Sequence, residues 1–316
     1  MLLSPTPLHI PDGFLATWVS ILGWVLAVIV IGIALRQTRQ QLGERQVPIM
    51  GVLAAFIFAA QAINFPVAAG TSGHLLGGAL AAITLGPWAA TLIMTSVIGV
   101  QAFLFQDGGL LAFGWNVLNM GVLTAFSGYL VYRALRRMTG DNPGARIAAA
   151  FAAAWLSVEI GAIATAIELA VSGTSPLAIG LPAMATVHAL IGLGEGLITA
   201  GAIALLQAAR PEVLSAGERA PGRITSGFVL AGLLIALVVA AFSPLASPNP
   251  DGLEFVAEQR GFLDRSLEPL YSILPDYTVP FIQNPAATTI AAVLLGTLIV
   301  FALAWVMGRR VVGVEG

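Results

Sequence analysis

Residues 17–35 read TWVSILGWVLAVIVIGIAL, an uncharged apolar run close to the length of about 20 residues that a helix needs to cross a hydrocarbon core. Comparable runs recur at 48–68, 88–105, 110–135, 146–172, 179–208, 226–246 and 286–308, with a shorter one at 75–86. A membrane β-barrel would instead show segments of about ten residues with alternating polarity. The sequence therefore predicts an all-α, polytopic membrane protein with about nine transmembrane helices.

The composition agrees with a membrane protein and excludes several kinds of chemistry. Hydrophobic residues make up 58% of the chain and charged residues 9%, whereas soluble domains contain far more charge. Cysteine is absent, which excludes disulfides, thiolate metal sites and redox motifs. Lysine is absent too, so no Walker A loop can form, and any ATP-driven activity requires an ATPase on another chain. We expect neither an enzyme nor a nucleic-acid partner.

The arginines test the helix count and indicate an orientation. With the N-terminus outside and nine crossings, twelve of the 14 basic residues fall on the cytoplasmic side, and only Arg260 and Arg265 fall outside. This distribution follows the positive-inside rule. We therefore expect an outer N-terminus and a cytoplasmic C-terminus.

The chain is expected to contain two modules. Residues 8–208 form a seven-helix bundle, residues 209–225 a polar cytoplasmic linker, and residues 226–316 a two-helix hairpin with a long outer loop. Within that loop Asp251 and Glu254 are spaced as in a capping box, at the start of a short amphipathic helix. The loop therefore carries structure of its own.

Two of the three histidines, His9 and His74, lie in short segments rich in turn-forming and polar residues, LHIPDGFL at 8–15 and GTSGHLLG at 70–77. A neutral imidazole is the commonest protein ligand for transition metals. Under the topology above, both face outside together with other polar residues: Gln61, Asn64, Ser72, Gln106, Asp107, Asn116 and Asn119. We expect His9 and His74 to form a metal site at the outer membrane surface. The alternative for the amides is that they cap helix ends.

Ionisable residues also occur inside the predicted spans. His188 and Glu195 are seven positions apart on one helix and share a face, while Glu159 and Glu168 lie inside the preceding helix. Such groups are costly in a membrane and often line a pathway. One interpretation is a proton or ion path; the other is a buried polar network that fixes helix packing, assisted by small residues such as Gly192 and Gly196. This series of ionisable residues is short and contains no basic partner, which favours the packing network over a proton or ion path.

At these motifs the chain resembles the CbiM/NikM family, the substrate-binding membrane components of energy-coupling factor transporters for cobalt and nickel. The matching stretches are HIPDGFL at 9–15, NFPV at 64–67 leading into GTSGH at 70–74, FQDGGLL at 105–111, and HALIG at 188–192 continuing to Glu195 and Gly196. Residues 226–308 resemble the PDGLE-type small accessory component. The resemblance implies a cell-membrane transport protein of bacteria or archaea that works with a separate transmembrane coupling protein and ATPase subunits.

The resemblance also implies nitrogen ligands for the metal: a free α-amine, the backbone amide and imidazole of the second residue, and a second imidazole. Here the imidazoles are His9 and His74, supported by Asn64, Gln106, Asp107 and Ser72. Because His9 is ninth in the chain, we expect translation to begin at Leu8, whose amine is then a ligand; with the longer N-terminus, Asp12 or a water replaces it. Square-planar nitrogen ligation suits Ni(II) or Cu(II), and Co(II) follows nickel in intrinsic affinity. We expect no cofactor beyond the transported Ni²⁺ or Co²⁺, and nickel is favoured slightly over cobalt as the substrate.

Two other functions are alternatives to metal capture. An autonomous proton-coupled secondary transporter would use His188, Glu195 and Glu159. An intramembrane metalloenzyme is disfavoured, since the chain has no His-Glu-x-x-His pair. In the leading interpretation, the outer loop docks over the metal site and helps the ion to enter or become locked in. The alternative is that its helix merely rests on the membrane surface.

Overall fold

The apolar runs of the sequence fold as packed helices. The computed structural model describes residues 9–140, 142–214 and 225–313. In chain order its α-helices are α1 (Thr17–Gln41), α2 (Val47–Gln61), α3 (Gly78–Leu85), α4 (Pro87–Val100), α5 (Phe113–Asn116), α6 (Thr124–Thr139), α7 (Pro143–Val171), α8 (Leu177–Ala209), α9 (Pro211–Leu214), α10 (Ser226–Ala241), α11 (Gly252–Arg260) and α12 (Pro285–Val312). Five stretches of the described residues are long and apolar enough to cross a membrane: α1, Pro87–Phe105, α7, α8 and α12. The predicted all-α polytopic fold is confirmed.

Each predicted apolar run contains a helix, but the lengths differ. The run at 110–135 corresponds to residues 113–139, in which the π-helix Val117–Leu123 joins α5 to α6. α2 and α10 have 15 and 16 residues, and α3 has only 8. The nine crossings therefore stay a prediction.

The second apolar run is helical over a shorter stretch than predicted. The expected span 48–68 ends at Gln61, and β1 (Phe65–Pro66) then pairs antiparallel with β2 (Ser72–Gly73). Proline lacks a backbone N–H and disfavours the helical conformation of the residue before it, so Pro66 keeps this segment extended. The run at 75–86 likewise becomes helical only at Gly78. The loop between α2 and α3 is therefore long enough to carry His74 outside both helices.

Two π-helical stretches flank the loop that precedes α5. α4 continues into the π-helix Gln101–Phe105, and α5 continues into Val117–Leu123. Gln106 then takes a φ of 58°, and the backbone N–H of Asp107 donates to the carbonyl of Gln101 (3.0 Å). π-helical turns are rare and occur frequently at functional sites. This backbone places Asp107 directly after the helix end.

Glycines allow close packing between the helices. α10 and α12 both pack against α2, and a Cβ added at Gly296 of α12 would lie 2.3 Å from Cζ of Phe58. In α8, a Cβ at Gly192 would lie 2.8 Å from Trp155 of α7, and Gly196 is similarly close to that helix. Small residues at such positions let helices approach, as predicted for Gly192 and Gly196.

The linker expected at residues 209–225 lies largely outside the described residues. On its N-terminal side α8 extends to Ala209 and α9 follows, and on its C-terminal side α10 begins at Ser226. The division into modules at 8–208 and 226–316 stays a prediction.

Candidate metal centre

The segment that carries His9 is fixed by hydrogen bonds directed at the backbone. The side-chain amide of Asn116 donates to the carbonyl of Ile10 (3.1 Å), and its oxygen accepts from the N–H of Ile10 (3.1 Å). The carboxylate of Asp12 accepts from three backbone N–H groups of residues 110–112, at distances of 2.8, 3.1 and 3.1 Å. Asp12, the substitute ligand considered for a longer N-terminus, is thus already satisfied by the loop before α5.

Two consecutive glycines permit this close approach. Gly108 has a φ of +96°, and a Cβ added there would lie 2.9 Å from the Cβ of His9. A Cβ at Gly109 would lie 2.0 Å from Oδ1 of Asp12. Only glycine adopts this backbone and leaves this space without strain. The Gly-Gly pair in the stretch at 105–111 is therefore required by the packing of the N-terminal segment.

Asp107 holds the imidazole of His9 through Nδ1. This nitrogen lies 3.0 Å from Oδ1 of Asp107 and 3.2 Å from its backbone oxygen. Both oxygens are acceptors, so Nδ1 carries the proton and Nε2 of the neutral ring presents its lone pair. Nε2 is buried and has no hydrogen-bond partner among the described residues. A histidine oriented by a carboxylate in this way is suited to metal ligation.

The same carboxylate affects the protonation of His9. Burial opposes the charged imidazole, but the nearby Asp107 more than offsets this effect, so the pKa of His9 is raised above its ordinary value. A doubly protonated ring has no lone pair for a metal. Metal binding at His9 therefore competes with its protonation.

His74 lies on a loop that Glu195 anchors from α8. The carboxylate of Glu195 accepts from the backbone N–H groups of Leu76 (2.5 Å) and Gly77 (3.0 Å). Nδ1 of His74 lies 3.0 Å from the carbonyl oxygen of Leu75. An acceptor at this position makes Nδ1 the protonated nitrogen, and Nε2 then carries the lone pair.

The structure brings His9 and His74 together. Their ring centroids are 5.7 Å apart and their planes are inclined by 79°. With metal–nitrogen bonds of about 2.0–2.1 Å, a single ion between rings at this separation could bind one nitrogen of each ring. Both rings border a cavity of about 70 Å³ whose polar lining includes Asn116, Asn119 and His188.

Two imidazoles alone do not complete a square-planar site. Within residues 9–140, 142–214 and 225–313, no group of three or more His, Asp or Glu side chains is arranged to hold a metal. Leu8, the ligand expected through its amine, lies outside the described residues. A metal bound by these two imidazoles would therefore need further donors of another kind, or donors outside these ranges.

The other predicted supporting residues contact the segment between α10 and α12. These hydrogen bonds join Ser72 Oγ to the carbonyl of Asn249 (2.8 Å), the carbonyl of Asn64 to the N–H of Ser247 (2.8 Å), and Oε1 of Gln106 to the N–H of Ile273 (3.4 Å). Asp107 differs from these three because it contacts the imidazole of His9 directly. Ser72, Asn64 and Gln106 thus contact the segment between α10 and α12, and their support of a metal site stays a prediction.

His188, Glu195 and Glu159 occupy separate environments. His188 donates from Nδ1 to the carbonyl of Met184 (2.8 Å) and borders the cavity with His9 and His74. Glu195 binds the His74 loop, and Oε1 of Glu159 is buried without a hydrogen-bond partner. Among the hydrogen bonds of the described residues, none joins two of these three side chains.

The segment between α10 and α12 supplies two residues next to the histidines. Asp251 caps α11 by accepting from the N–H of Glu254 (2.7 Å), as its spacing predicted. It also borders the cavity beside His9, and burial raises the pKa of Asp251 to about 8. Farther along, the hydroxyl of Tyr277 donates to Oδ2 of Asp107 (2.7 Å). Asp251 and Tyr277 thus bring the segment between α10 and α12 next to His9 and Asp107.

The sequence predicts only a helix cap for Asp251 and indicates no role for Tyr277. The sequence feature that points to Tyr277 is the short stretch PDY at 275–277. Pro-Asp favours a turn, and an aromatic residue directly after a turn in a polar loop needs an apolar neighbour. No periodicity indicates which neighbour that is.

Residues 9–213 match the model of the CbiM family, described as the cobalt uptake substrate-specific transmembrane region, and residues 226–312 match the PDGLE domain. A protein of Archaeoglobus fulgidus, provisionally named fused nickel transport protein NikMN, is 39% identical over 305 residues, or 96% of this chain and 98% of that one. The fused nickel transport protein NikMN of Rhodobacter capsulatus is 30% identical over 332 residues, or 93% and 95%. A crystal structure described as a transition metal transporter has a TM-score of 0.59 at 30% identity, covering 68% of this chain and 100% of that one.

Proposed function

Because the chain belongs to the CbiM family and carries a PDGLE domain, we propose that it captures nickel or cobalt at the outer membrane face for an energy-coupled importer. It is a multi-pass membrane transport component and not an enzyme. The metal ion is the transported substrate.

The position of Nε2 in His9 is the observation that carries this proposal. This nitrogen is buried without a partner among the residues that the structure describes. Its ring is held from the other side by Asp107, and the centroid of the His74 ring is 5.7 Å away. A buried polar atom without a partner is unfavourable unless a ligand satisfies it. A dication with nitrogen preference satisfies both rings at once.

The remaining ligands in this proposal are backbone nitrogens. The α-amine of a chain that begins at Leu8 would be one of them. The amide of His9 cannot bind the same ion as Nε2 of its own ring, because the ring holds these two nitrogens too far apart, so the fourth nitrogen would come from another residue. A planar set of four nitrogens suits Ni²⁺ or Cu²⁺, and the relatives similar over nearly the whole chain are named for nickel. Nickel is therefore the first choice of substrate, with cobalt second.

The proposed orientation places the histidines outside. α1, α6 and α12 each carry arginine in their last turn, at Arg39, Arg136 and Arg137, and Arg309 and Arg310. The positive-inside rule assigns these ends to the cytoplasm. The N-terminal segment with His9 then lies at the opposite face. In this proposal residues 8–208 capture the metal and residues 226–316 form an accessory hairpin.

The proposed energy source is a separate pair of ATPases that act through a transmembrane coupling protein. The support is the resemblance to energy-coupling factor components together with the absence of lysine, and hence of a Walker A loop, in this chain. ATP depletion should abolish uptake by the assembled system. Uptake by this chain alone that survives ATP depletion and stops with an uncoupler would instead support proton-coupled transport through His188, Glu195 and Glu159.

Metal binding to the purified chain tests the site directly. Ni²⁺ and Co²⁺ should compete for one site per chain, and His9→Ala and His74→Ala should each lower the affinity by at least about 100-fold, since a metal ligand is lost. The exposed Tyr271 offers a control, Tyr271→Phe, which should bind as wild type. Wild-type affinity in either histidine variant would refute the assignment.

A further inference from the structure

Tyr277 connects the accessory segment to the histidine site. Its hydroxyl donates to Oδ2 of Asp107 at 2.7 Å, and Oδ1 of the same carboxylate lies 3.0 Å from Nδ1 of His9. One carboxylate is thus shared between a tyrosine of the C-terminal hairpin and an imidazole of the N-terminal segment. These contacts form a continuous chain from the hairpin to Nε2 of His9.

The backbone around Tyr277 is unusual. Asp276 and Tyr277 are consecutive non-glycine residues with φ values of 50° and 55°. A left-handed conformation in a non-glycine residue is uncommon and persists where the surroundings enforce it, often at functional sites. This turn directs an aromatic side chain away from solvent, since Tyr277 is only 7% exposed.

The ring of Tyr277 is held by packing contacts that do not involve the hydrogen bond from its hydroxyl to Asp107. It stacks on Phe105 with centroids 4.5 Å apart and an interplanar angle of 13°, and it lies 6.3 Å from the ring of Phe58. Aromatic pairs at such distances are attractive beyond simple burial. Packing therefore fixes the ring, and the hydroxyl is free to perform a separate role.

We propose that Tyr277 is a positioning residue of the metal site: its hydroxyl fixes the Asp107 carboxylate, which in turn orients His9 for the ion. The inference rests on the proposed function, because it assumes that His9 is a ligand. It gives the accessory hairpin a specific role, which is to complete the geometry of capture.

The direction of the hydrogen bond is determined by the chemistry of the pair. Burial and the neighbouring Asp107 raise the pKa of Tyr277 well above its ordinary value, so the phenol stays protonated and donates. The carboxylate then has one oxygen satisfied by Tyr277 and the other directed at His9. Without the hydroxyl, the carboxylate loses one of the contacts that fix its orientation, and the His9 ring loses part of its constraint.

Tyr277→Phe in the full-length chain tests this role, because it keeps the ring stacked on Phe105 and removes only the donor. We expect the affinity for Ni²⁺ to fall about 10-fold or more, the usual effect of losing an outer-shell partner, and the ligand-field absorption of bound Co²⁺ to shift. Tyr271→Phe is the matched control. The hydroxyl of Tyr271 in the same segment donates to the carbonyl of Phe103 (3.0 Å), so its loss should change neither quantity.

A double-mutant cycle separates positioning from a general effect on folding. If Tyr277 acts through Asp107, adding Tyr277→Phe to Asp107→Ala should lower the affinity little further. Wild-type affinity and spectrum in Tyr277→Phe, or an undiminished effect in the Asp107→Ala background, would overturn the inference. So would a Tyr277→Phe chain that fails to fold, because the hydroxyl would then serve the fold. Loss of binding in His9→Ala with normal binding in Tyr277→Phe rejects this inference alone, whereas normal binding in His9→Ala rejects the proposed function.

Discussion

The side chain of Asn116 pairs with both polar backbone groups of Ile10, as a neighbouring β-strand would, with two hydrogen bonds of 3.1 Å. Ile10 directly follows His9, so this pair determines where the imidazole can lie. An amide is needed because it supplies one donor and one acceptor.

Asn116→Asp should therefore weaken metal binding. Aspartate cannot donate to the carbonyl of Ile10, and it places negative charge against that oxygen. We expect roughly a 10-fold loss of Ni²⁺ affinity by isothermal titration calorimetry, in the range found for outer-shell changes. Asn142→Asp is the control, because the exposed Asn142 caps α7 and aspartate caps equally well. Equal affinity in both variants would mean that the Asn116 pair does not position His9.

The Asp107 carboxylate predicts a pH dependence of binding. Because the pKa of His9 is raised, its imidazole remains protonated to a higher pH than usual, and Ni²⁺ affinity should fall as the pH drops through that pKa. Asp107→Asn removes the charge that raises the pKa. The midpoint of the pH profile should then move to lower pH, while the affinity at high pH falls about 10- to 100-fold because the ring is less well oriented.

The measurement is the Ni²⁺ dissociation constant across pH for Asp107→Asn and for a control, Asp264→Asn, at an exposed position. The control should reproduce the wild-type profile. A midpoint that does not move in Asp107→Asn would contradict the proposed link between this carboxylate and His9.

Glu195 should stabilise the His74 loop. Its carboxylate accepts from two consecutive backbone N–H groups, whereas the amide of Glu195→Gln can offer only one acceptor oxygen to them. A buried N–H left without a partner costs about 1–3 kcal/mol, so the variant should unfold at a lower temperature in detergent and bind Ni²⁺ more weakly. Glu44→Gln, at an exposed position, should change neither. An unaltered melting temperature in Glu195→Gln would be inconsistent with an anchoring role.

Gly109→Ala should displace the N-terminal segment from its loop. The added Cβ would meet Oδ1 of Asp12 at 2.0 Å and its backbone nitrogen at 2.3 Å, and the backbone atom cannot move aside cheaply. Ni²⁺ binding should fall by at least 10-fold, comparable to the loss of an outer-shell contact, while helix content by circular dichroism stays normal. Gly99→Ala is the matched control, since a Cβ there meets nothing within 4 Å. Similar binding by the two variants would disprove the packing argument.

The helices and the convergence of the two histidines were accessible from the sequence. Hydropathy identifies each apolar run, and the arginine pattern assigns the segments of His9 and His74 to one face. The end of α2 was missed because the apolar run continues to residue 68, although Pro66 marks the change in backbone. The backbone restriction imposed by proline, and not hydropathy, determines the structure of this segment.

The contacts of the polar residues were harder to predict. Ser72 is expected to support the metal site, and the sequence does not indicate that its hydroxyl donates to the carbonyl of Asn249. A polar residue in a buried loop requires a hydrogen-bond partner, but the sequence does not indicate which residue that partner is. Asp107 and Tyr277 are 170 positions apart, and no spacing rule connects residues at that distance. Tertiary packing of the outer segment decides both contacts.

The hydrogen bonds of Ser72 with Asn249 and of Asp107 with Tyr277 are intramolecular, since both modules belong to one polypeptide. A tether raises the effective concentration of one partner around the other to the order of millimolar for short linkers. Individually weak contacts then suffice to keep the accessory segment seated. Two independently encoded subunits would have to replace this tether with a stronger interface between their helices.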